Sequence, residues 1–388
     1  MKKILFCIQD FKQGGIPRCL QSLLSYIDTS SYQIDVCGLR HEGDYLESMP
    51  NCNILPADYI VNNLMLFTKK ITLRNFFAFL PSIFLKVIRN IVFNLSGKDI
   101  LLIRLALIGE KMSLSHYDMV ISYAEGYPAV LVEHIEAPKK IVWIHNNYAF
   151  AGARQGCSIT NFGAFTNVCC VSKASKESFD NYYPQYANKS RVIYNLTNFK
   201  LIKLFAKERI TDSRFDTNGF TIVSIGRICA VKNFAIIPSI INNMPESDKS
   251  RLKWYIIGDG PEDEKEEVRA QIQKEQLEKT VILLGNKPNP YCYLAKANLF
   301  ALTSIYESYP TVINEAKVLN IPILANDIPS AHEMLDGEKS IIAKVDDMAK
   351  VISELMNHSD MYNAMKSQCY DFEQTNLLLM KEFYALFE

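Results

Sequence analysis

Short apolar runs alternate with helical segments along most of this chain, and that alternation is what most restricts its possible folds. The segment from Asn298 to Leu324 shows the pattern most fully. Leu299 to Leu302 reads as a buried strand, a polar loop carries Glu307, a helix opens near Pro310, and Ile321 to Leu324 is a second apolar strand. A helix between two buried strands makes a crossover, so the strands run parallel, and repeated units of this kind build α/β domains. In such folds, loop groups and free helix N–H donors collect at the carboxyl edge of the sheet, where ligands bind. Glu307 and Glu315 lie in this unit as Glu-x7-Glu, one on the loop and one inside the helix.

The same reading applies from the start of the chain. Ile4 to Ile8 is a first strand, because its apolar run is stopped by Gln9 and Asp10, short of the roughly 7–15 residues a secretory signal needs. Gln13-Gly14-Gly15-Ile16-Pro17 follows, then a helix through Leu20, Leu23, Leu24 and Ile27. A glycine pair there either makes a tight turn or lets backbone approach a phosphate. Strands are expected from Gln33 to Gly38, Met119 to Ser122, Lys140 to Ile144, Asn167 to Val171 and Arg191 to Tyr194, with Ser172 capping a helix from Lys173 to Tyr182. His145 stands just past a strand end, a position that suits ligand contact or an ordinary hydrogen-bonded surface histidine. Lys200 to Asn218 is polar and charge-mixed and reads as a linker. Strands at Phe220 to Ile225, Trp254 to Ile257 and Val281 to Leu284, and a charged helix from Glu262 to Leu277, open a second domain. Helical segments from Met348 to Met356 and from Asp360 end the chain.

Composition limits the function classes. The 388 residues allow two domains, and 48% hydrophobic with 22% charged residues is ordinary for a globular protein. Lys and Arg number 42, as do Asp and Glu, so there is no global charge for nucleic acid and no nucleic-acid partner is expected. Ten cysteines without a C-x2-C pair read as reduced thiols in a cytoplasmic protein, and the sequons at Asn94, Asn188 and Asn195 then carry no glycan. Residues 60–112 carry Lys69, Lys70, Arg74, Lys86, Arg89, Lys98, Arg104 and Lys111 against only Asp99 and Glu110. Within them Phe76, Phe79, Leu80, Ile83, Phe84, Val87, Ile88, Ile91, Val92 and Leu95 recur at helical spacing, with the helix starting or bending at Pro81. No stretch there is an uncharged run of about 18–20 residues, as a membrane span requires. Two readings fit: a core-facing helix with a solvated basic side, or a basic surface resting on anionic lipid head groups at the membrane.

The second half concentrates the chemistry. Arg227 and Lys232 follow its first strand, and two cations on one strand-exit loop suit a diphosphate. The N–H groups of Thr311, Val312 and Ile313 open a helix and favour the same anion. Carboxylates accept hydrogen bonds from several hydroxyls, as sugar and ribose binding requires, so the combination points to a nucleotide-sugar. Glu125 and Glu133 repeat the Glu-x7-Glu spacing in the first half. That copy precedes the Arg227 and Lys232 pair and lacks the continuation seen at Glu315-Ala316 and Asn320-Ile-Pro322, so the donor pair is assigned to Glu307 and Glu315.

In this order, Gly14-Gly15, His145, Val171-Ser172, Ile193-Tyr-Asn195, Gly226-Arg227 with Lys232, Ile257-Gly-Asp-Gly-Pro261, Leu283-Leu-Gly285 and Glu307 to Glu315 resemble the retaining glycosyltransferases of family 4 over nearly the whole chain. The resemblance implies a GT-B α/β architecture, two Rossmann-like parallel-sheet domains facing a cleft. Residues 1–198 would form an acceptor-binding domain and 199–371 a nucleotide-sugar domain, with a C-terminal helix at about 372–388 packing back on the first. It implies that Glu307 contacts the transferred sugar, that Glu315 contacts the ribose, and that Arg227 and Lys232 hold the diphosphate. Gly226, Ser308, Tyr309, Thr311 and Val312 would line sugar and phosphate, and the loop with Asn286 would meet the base. Gly14 and Gly15, as donor-binding residues, and His145, in a catalytic role, would come from the first domain. Ser308, Asn233, Asn320 and Ile328-Pro-Ser-Ala stand where glycine is commoner in the family, and Asn can take the left-handed conformation such a position needs. The implied activity is metal-independent hexosyl transfer from a nucleoside diphosphate sugar, UDP-linked by expectation, to a lipid-linked glycan in bacterial surface polysaccharide synthesis. A nucleotide-sugar 2-epimerase of the same architecture and a non-catalytic subunit of a polysaccharide assembly complex are the competing readings.

Overall fold

A computed structural model describes residues 1–12, 14–65, 76–148, 159–335, 340–366 and 370–387. The chain divides into two compact units, Met1–Leu196 with Asn376–Glu388, and Thr197–Thr375.

The first unit holds a parallel sheet in the order β3-β2-β1-β4-β5-β6-β7. Its strands are β1 (Lys2–Ile8), β2 (Tyr32–Gly38), β3 (Asn53–Leu55), β4 (Met119–Ser122), β5 (Lys139–Ile144), β6 (Asn167–Cys170) and β7 (Ser190–Val192). Ile4 to Ile8 are buried, as befits a strand covered on both faces. Part of the cover comes from the end of the chain. Phe383 stacks on Phe6 at 6.5 Å between ring centroids, the Asp28 N–H donates to the Tyr384 hydroxyl at 2.9 Å, and Lys139 Nζ donates to the Leu386 carbonyl at 3.1 Å.

Between β3 and β4 lie α2 (Tyr59–Met65), α3 (Phe76–Ser96, with Pro81 inside it) and α4 (Ile100–Ser113), and α1 (Gly15–Leu24) follows β1. Here the structure corrects the sequence reading. The described part of α3 turns an apolar stripe outward: Leu80, Phe84, Val87, Ile91 and Leu95 are 40, 66, 52, 51 and 82% exposed. Its cations are only half exposed. Arg89 Nε binds Asp99 Oδ1 at 2.7 Å, and Asp99 also caps α4 through the Leu101 N–H. Arg104 of α4 pairs in the same way with Asp58, which accepts from the Ile60 and Val61 N–H groups of α2. The arginines complete capping carboxylates, so they face neighbouring helix starts and leave the apolar stripe to solvent. Lys69, Lys70 and Arg74 lie outside the described residues. Among the described residues no helix is long and apolar enough to cross a membrane.

The second unit holds a parallel sheet in the order β10-β9-β8-β11-β12-β13. Its strands are β8 (Phe220–Ile225), β9 (Leu252–Ile257), β10 (Val281–Gly285), β11 (Leu299–Leu302), β12 (Ile323–Asn326) and β13 (Ser340–Ala343). Trp254, fully buried, donates through Nε1 to Ser224 Oγ at 3.0 Å, and Ser224 Oγ donates to the Ala301 carbonyl at 2.7 Å, which ties β9, β8 and β11 together. The expected linker from Lys200 to Asn218 belongs to this unit's packing. Phe199–Phe205 is a helix whose Ile202 is buried with Tyr291, Val318 and Phe372. Phe215 packs on Tyr255 at 4.6 Å, and Arg214 donates to the Leu283 and Leu284 carbonyls at 3.2 and 2.8 Å. A few aromatic and arginine anchors in a polar stretch were enough to fold it down. The strand expected from Ile321 starts at Ile323, because Asn320 takes a φ of 54° and the Ile321 N–H bonds back to the Ala316 carbonyl.

Candidate active site

In an open parallel sheet, the crevice for ligands lies where the strand order reverses. In the second unit that point falls between β8 and β11. The loops leaving these two strands are joined: the Ile305 N–H donates to the Val231 carbonyl at 2.9 Å and Thr303 Oγ1 to the Lys232 carbonyl at 2.8 Å. Between them the Lys232 ammonium pairs with the Glu307 carboxylate, whose Oε1 also accepts from Ser304 Oγ at 2.8 Å. Asn326 Nδ2 in turn donates to the Ser304 carbonyl at 3.0 Å. Lysine and glutamate side chains are 18 and 15% exposed, so the pair is sheltered yet reachable.

Glycines shape this crevice by what they leave out. A Cβ on Gly226 would sit 3.0 Å from Lys232 Cε, so the lysine stem lies over the glycine. A Cβ on Gly258 would come within 1.8 Å of the Gly226 carbonyl oxygen, and one on Gly260 within 2.0 Å of the Ile228 oxygen. The Gly258-Asp-Gly260 turn is therefore a close backbone contact that supports the β8 loop, with the Ile228 N–H donating to the Asp259 carbonyl at 2.9 Å. Asn233, directly after Lys232, holds φ 54°, the left-handed region where glycine was the expected residue.

The helix Thr311–Val318 follows, and its N-cap, Pro310, offers no side-chain hydrogen bond. The first-turn N–H groups of Thr311 and Val312 thus remain available to an anion. Tyr309 and Ser308 are half-buried beside them. Asn314 Nδ2 donates to the Tyr309 hydroxyl at 3.2 Å, and the Ser308 and Tyr306 hydroxyls lie 3.0 Å apart. Glu315 is buried at 2% exposure within this helix. Arg227 is exposed and forms no ion pair among the described residues. Asn286 is exposed just past β10, next to Lys287, which pairs with Asp212 at 2.7 Å. Hydrogen bonds from Arg214 and then Lys287 hold the Asp212 carboxyl well below the usual range. The sequence reading did not single out Thr303, Ser304 and Asn326. Their only signal was being polar residues at the ends of buried strands, Thr303 and Ser304 just after β11 and Asn326 closing β12.

In the first unit the reversal lies between β1 and β4. Gly14 is extended at φ 169°, and a Cβ on Gly15 would meet nothing within 4 Å. Local backbone geometry requires neither glycine, and the space beside Gly15 is open. His145 follows β5, and its ring lies 5.2 Å from that of Tyr123. Burial lowers its pKa to about 4, and its Nε2 has no hydrogen-bond partner among the described residues.

Two parallel-sheet units of this kind constitute the GT-B class of α/β fold. The solved structure of the Anabaena protein HepE in complex with UDP-glucose matches with a TM-score of 0.71 at 18% identity, over 99% of this chain and 100% of that one. Residues 206–372, most of the second unit, match the family described as glycosyl transferases group 1. One relative is the Campylobacter jejuni N-acetylgalactosamine-N,N'-diacetylbacillosaminyl-diphospho-undecaprenol 4-alpha-N-acetylgalactosaminyltransferase, 28% identical over 52% of this chain and 50% of that protein. Another is the amylovoran biosynthesis glycosyltransferase AmsD of Erwinia amylovora, 32% identical over 27% of this chain and 29% of that one. The chain spans about half the length of the curated relatives it matches.

Proposed function

We propose that the chain is a retaining glycosyltransferase that moves a sugar from a UDP-sugar to a lipid-linked glycan in bacterial surface polysaccharide synthesis. The observation that carries this reading is the Lys232–Glu307 pair at the β8/β11 reversal, beside a helix N-terminus without a side-chain cap. Lys232, Arg227 and the Thr311 and Val312 N–H groups would stabilise charge on the departing diphosphate, the electrostatic contribution that usually dominates. Glu307 would grip hydroxyls of the transferred sugar and Glu315 the ribose, while Gly226, Ser308 and Tyr309 line sugar and phosphate and Asn286 meets the base. No side chain here is assigned as nucleophile. The acceptor hydroxyl would attack from the face the diphosphate leaves, and the departing phosphate oxygen would take its proton. In this scheme the cations and amides do the work of a metal, so EDTA should leave the rate unchanged.

The first unit would hold the acceptor, with Gly14 and Gly15 as donor-binding residues and His145 as a catalytic one. One relative is named for an undecaprenol-linked substrate, and a lipid-linked acceptor requires the enzyme to reach a bilayer. The outward stripe on α3 suits that task. It runs roughly 22 Å from Leu80 to Leu95 at helical rise, and each side chain buried in lipid would contribute on the order of 1 kcal/mol. This reading places the protein peripherally on the inner face of the cell membrane, held by apolar insertion with cations as a fringe.

Purified protein incubated with a panel of nucleotide-sugars tests the core claim through release of UDP, to water or to an added acceptor. Epimerised nucleotide-sugar formed without acceptor, or no turnover of any donor, would overturn it. For the membrane, Phe84→Ser with Ile91→Ser should abolish retention on phosphatidylglycerol vesicles at high salt. Unchanged retention would remove the stripe from the account.

A further inference from the structure

β10 is an edge strand of the second sheet, and it ends irregularly: Leu283 pairs with Ile256 and Gly285 with Ile257, so Leu284 is an extra residue. Such a bulge bends an edge strand and re-aims the chain that leaves it. Gly285 takes φ 77°, and its carbonyl accepts from the Gly258 N–H at 3.0 Å, which ties the bulge to the glycine turn that supports the β8 loop. From the other side Arg214 donates to the Leu283 and Leu284 carbonyls. Asp212 holds that arginine by two bonds, from Nε at 3.0 Å and Nη2 at 2.6 Å, and it also accepts from Lys287 Nζ at 2.7 Å. Further along the loop, Asn289 Nδ2 donates to the Phe205 carbonyl and to Glu208 Oε2, both at 2.9 Å. Residues 205–214 thus form a strap across the exit of β10. Apolar packing of Ile202 and Phe215 already holds that segment down, so what the polar ties add is the placement of the loop.

Lys287 is the one charged residue of the loop Gly285-Asn286-Lys287-Pro288-Asn289. Its ammonium is committed to Asp212, the two side chains being 17 and 13% exposed, and lies 5.8 Å from the centre of the Tyr293 ring. A pair sheltered in this way is less screened than one in open water. The loop therefore offers a ligand backbone groups and the exposed Asn286 amide, which presents a donor and an acceptor side by side. That suits the edge of an uncharged heterocycle and not a phosphate. We propose, building on the reading above, that Asp212 is a positioning residue for the donor's nucleobase: through Arg214 and Lys287 it sets the bulged exit of β10 where Asn286 meets the base. All of these groups belong to the second unit, and Asn286 is open to solvent, so a base can reach it.

The test uses the whole chain and calorimetry with UDP, CDP, ADP, GDP and inorganic pyrophosphate. The four nucleotides share ribose and diphosphate, so the ratio of the weakest to the tightest Kd among them reads the base alone. Asp212→Asn should narrow that ratio roughly 3- to 10-fold, the scale of a lost hydrogen bond, while the pyrophosphate Kd stays within about twofold. Lys287→Met should narrow it in the same way, and the double variant should lose little more, since residues acting through one contact are not additive. If Asp212→Asn does not fold, Lys287→Met carries the test. Unchanged selectivity in the folded variants, a loss that falls equally on all five ligands, or a wild type that holds the four nucleotides alike would overturn the proposal. Failure of wild type to bind any of the four nucleotides would overturn the functional reading beneath it.

Discussion

Removing the charge of Glu307 should separate donor binding from transfer. In the free protein Lys232 is engaged by Glu307, so an incoming diphosphate has to take the lysine from that carboxylate and then sit near it. Two unit charges about 4 Å apart interact by about 4 kcal/mol at an effective dielectric of 20, and part of this is regained when phosphate replaces carboxylate. The net competition is therefore on the order of 1–2 kcal/mol. Glu307→Gln should tighten UDP binding roughly 5- to 30-fold, read by calorimetry or by the thermal shift UDP produces. On the proposed reading the same variant loses the carboxylate that grips the sugar, so transfer should fall by about two orders of magnitude. Lys232→Met should do the reverse at the first step, weakening UDP. It should also destabilise the protein by up to a few kcal/mol, because the half-buried Glu307 carboxylate loses its cation. If Glu307→Gln weakens UDP binding as Lys232→Met does, the competition described here does not exist and the role of the pair is misread.

Other outcomes are equally direct. Arg227 is exposed, so Arg227→Ala should leave the melting temperature within a few degrees and slow turnover by a barrier increase of several kcal/mol; full activity would remove it from the site. Gly258→Ala should sharply reduce the yield of folded protein, since the added carbon has no room against the Gly226 carbonyl, and a normal melting curve would contradict that. His145 predicts a pH effect. Its folded pKa of about 4 lies below the unfolded value, so the stability of the neutral ring is present above about pH 6.5 and is lost as pH falls toward 4, roughly 3 kcal/mol in all. Glu125, with a raised pKa, works in the opposite direction. The measurement is therefore the difference between wild type and His145→Gln in urea unfolding at pH 7 and pH 5, where wild type should lose ground; a constant difference would count against a buried neutral imidazole.

Much of the architecture was legible in the sequence because buried parallel strands are continuous apolar runs: Leu299–Leu302 and Phe220–Ile225 were read with the bounds the structure gives them. The edge strands Asn53–Leu55 and Ser340–Ala343 escaped, being short and begun by polar residues. The orientation of α3 was not legible, because its helical period fits either face and the choice is made by Arg89 reaching Asp99, the cap of the next helix. Candidate site residues were found one by one on loops after strands. Their meeting was not: Lys232 and Glu307 stand 75 positions apart, and only the strand order of the folded sheet brings β8 beside β11. Glu125 was passed over because spacing was compared with spacing, while its hydrogen bonds go to a turn twenty residues further on.

The return of Asn376–Glu388 to the first unit has a consequence for how the protein is made. Phe383 covers Phe6 and lies 6.1 Å from Trp143, so the first sheet, begun at Lys2, stays partly uncovered until the residues after Asn376 leave the ribosome. The second unit, synthesised later, can close its own core earlier. A ribosome stalled before Asn376 would thus present a finished second unit attached to an unfinished first one, exposing an aromatic surface to chaperones for as long as the stall lasts.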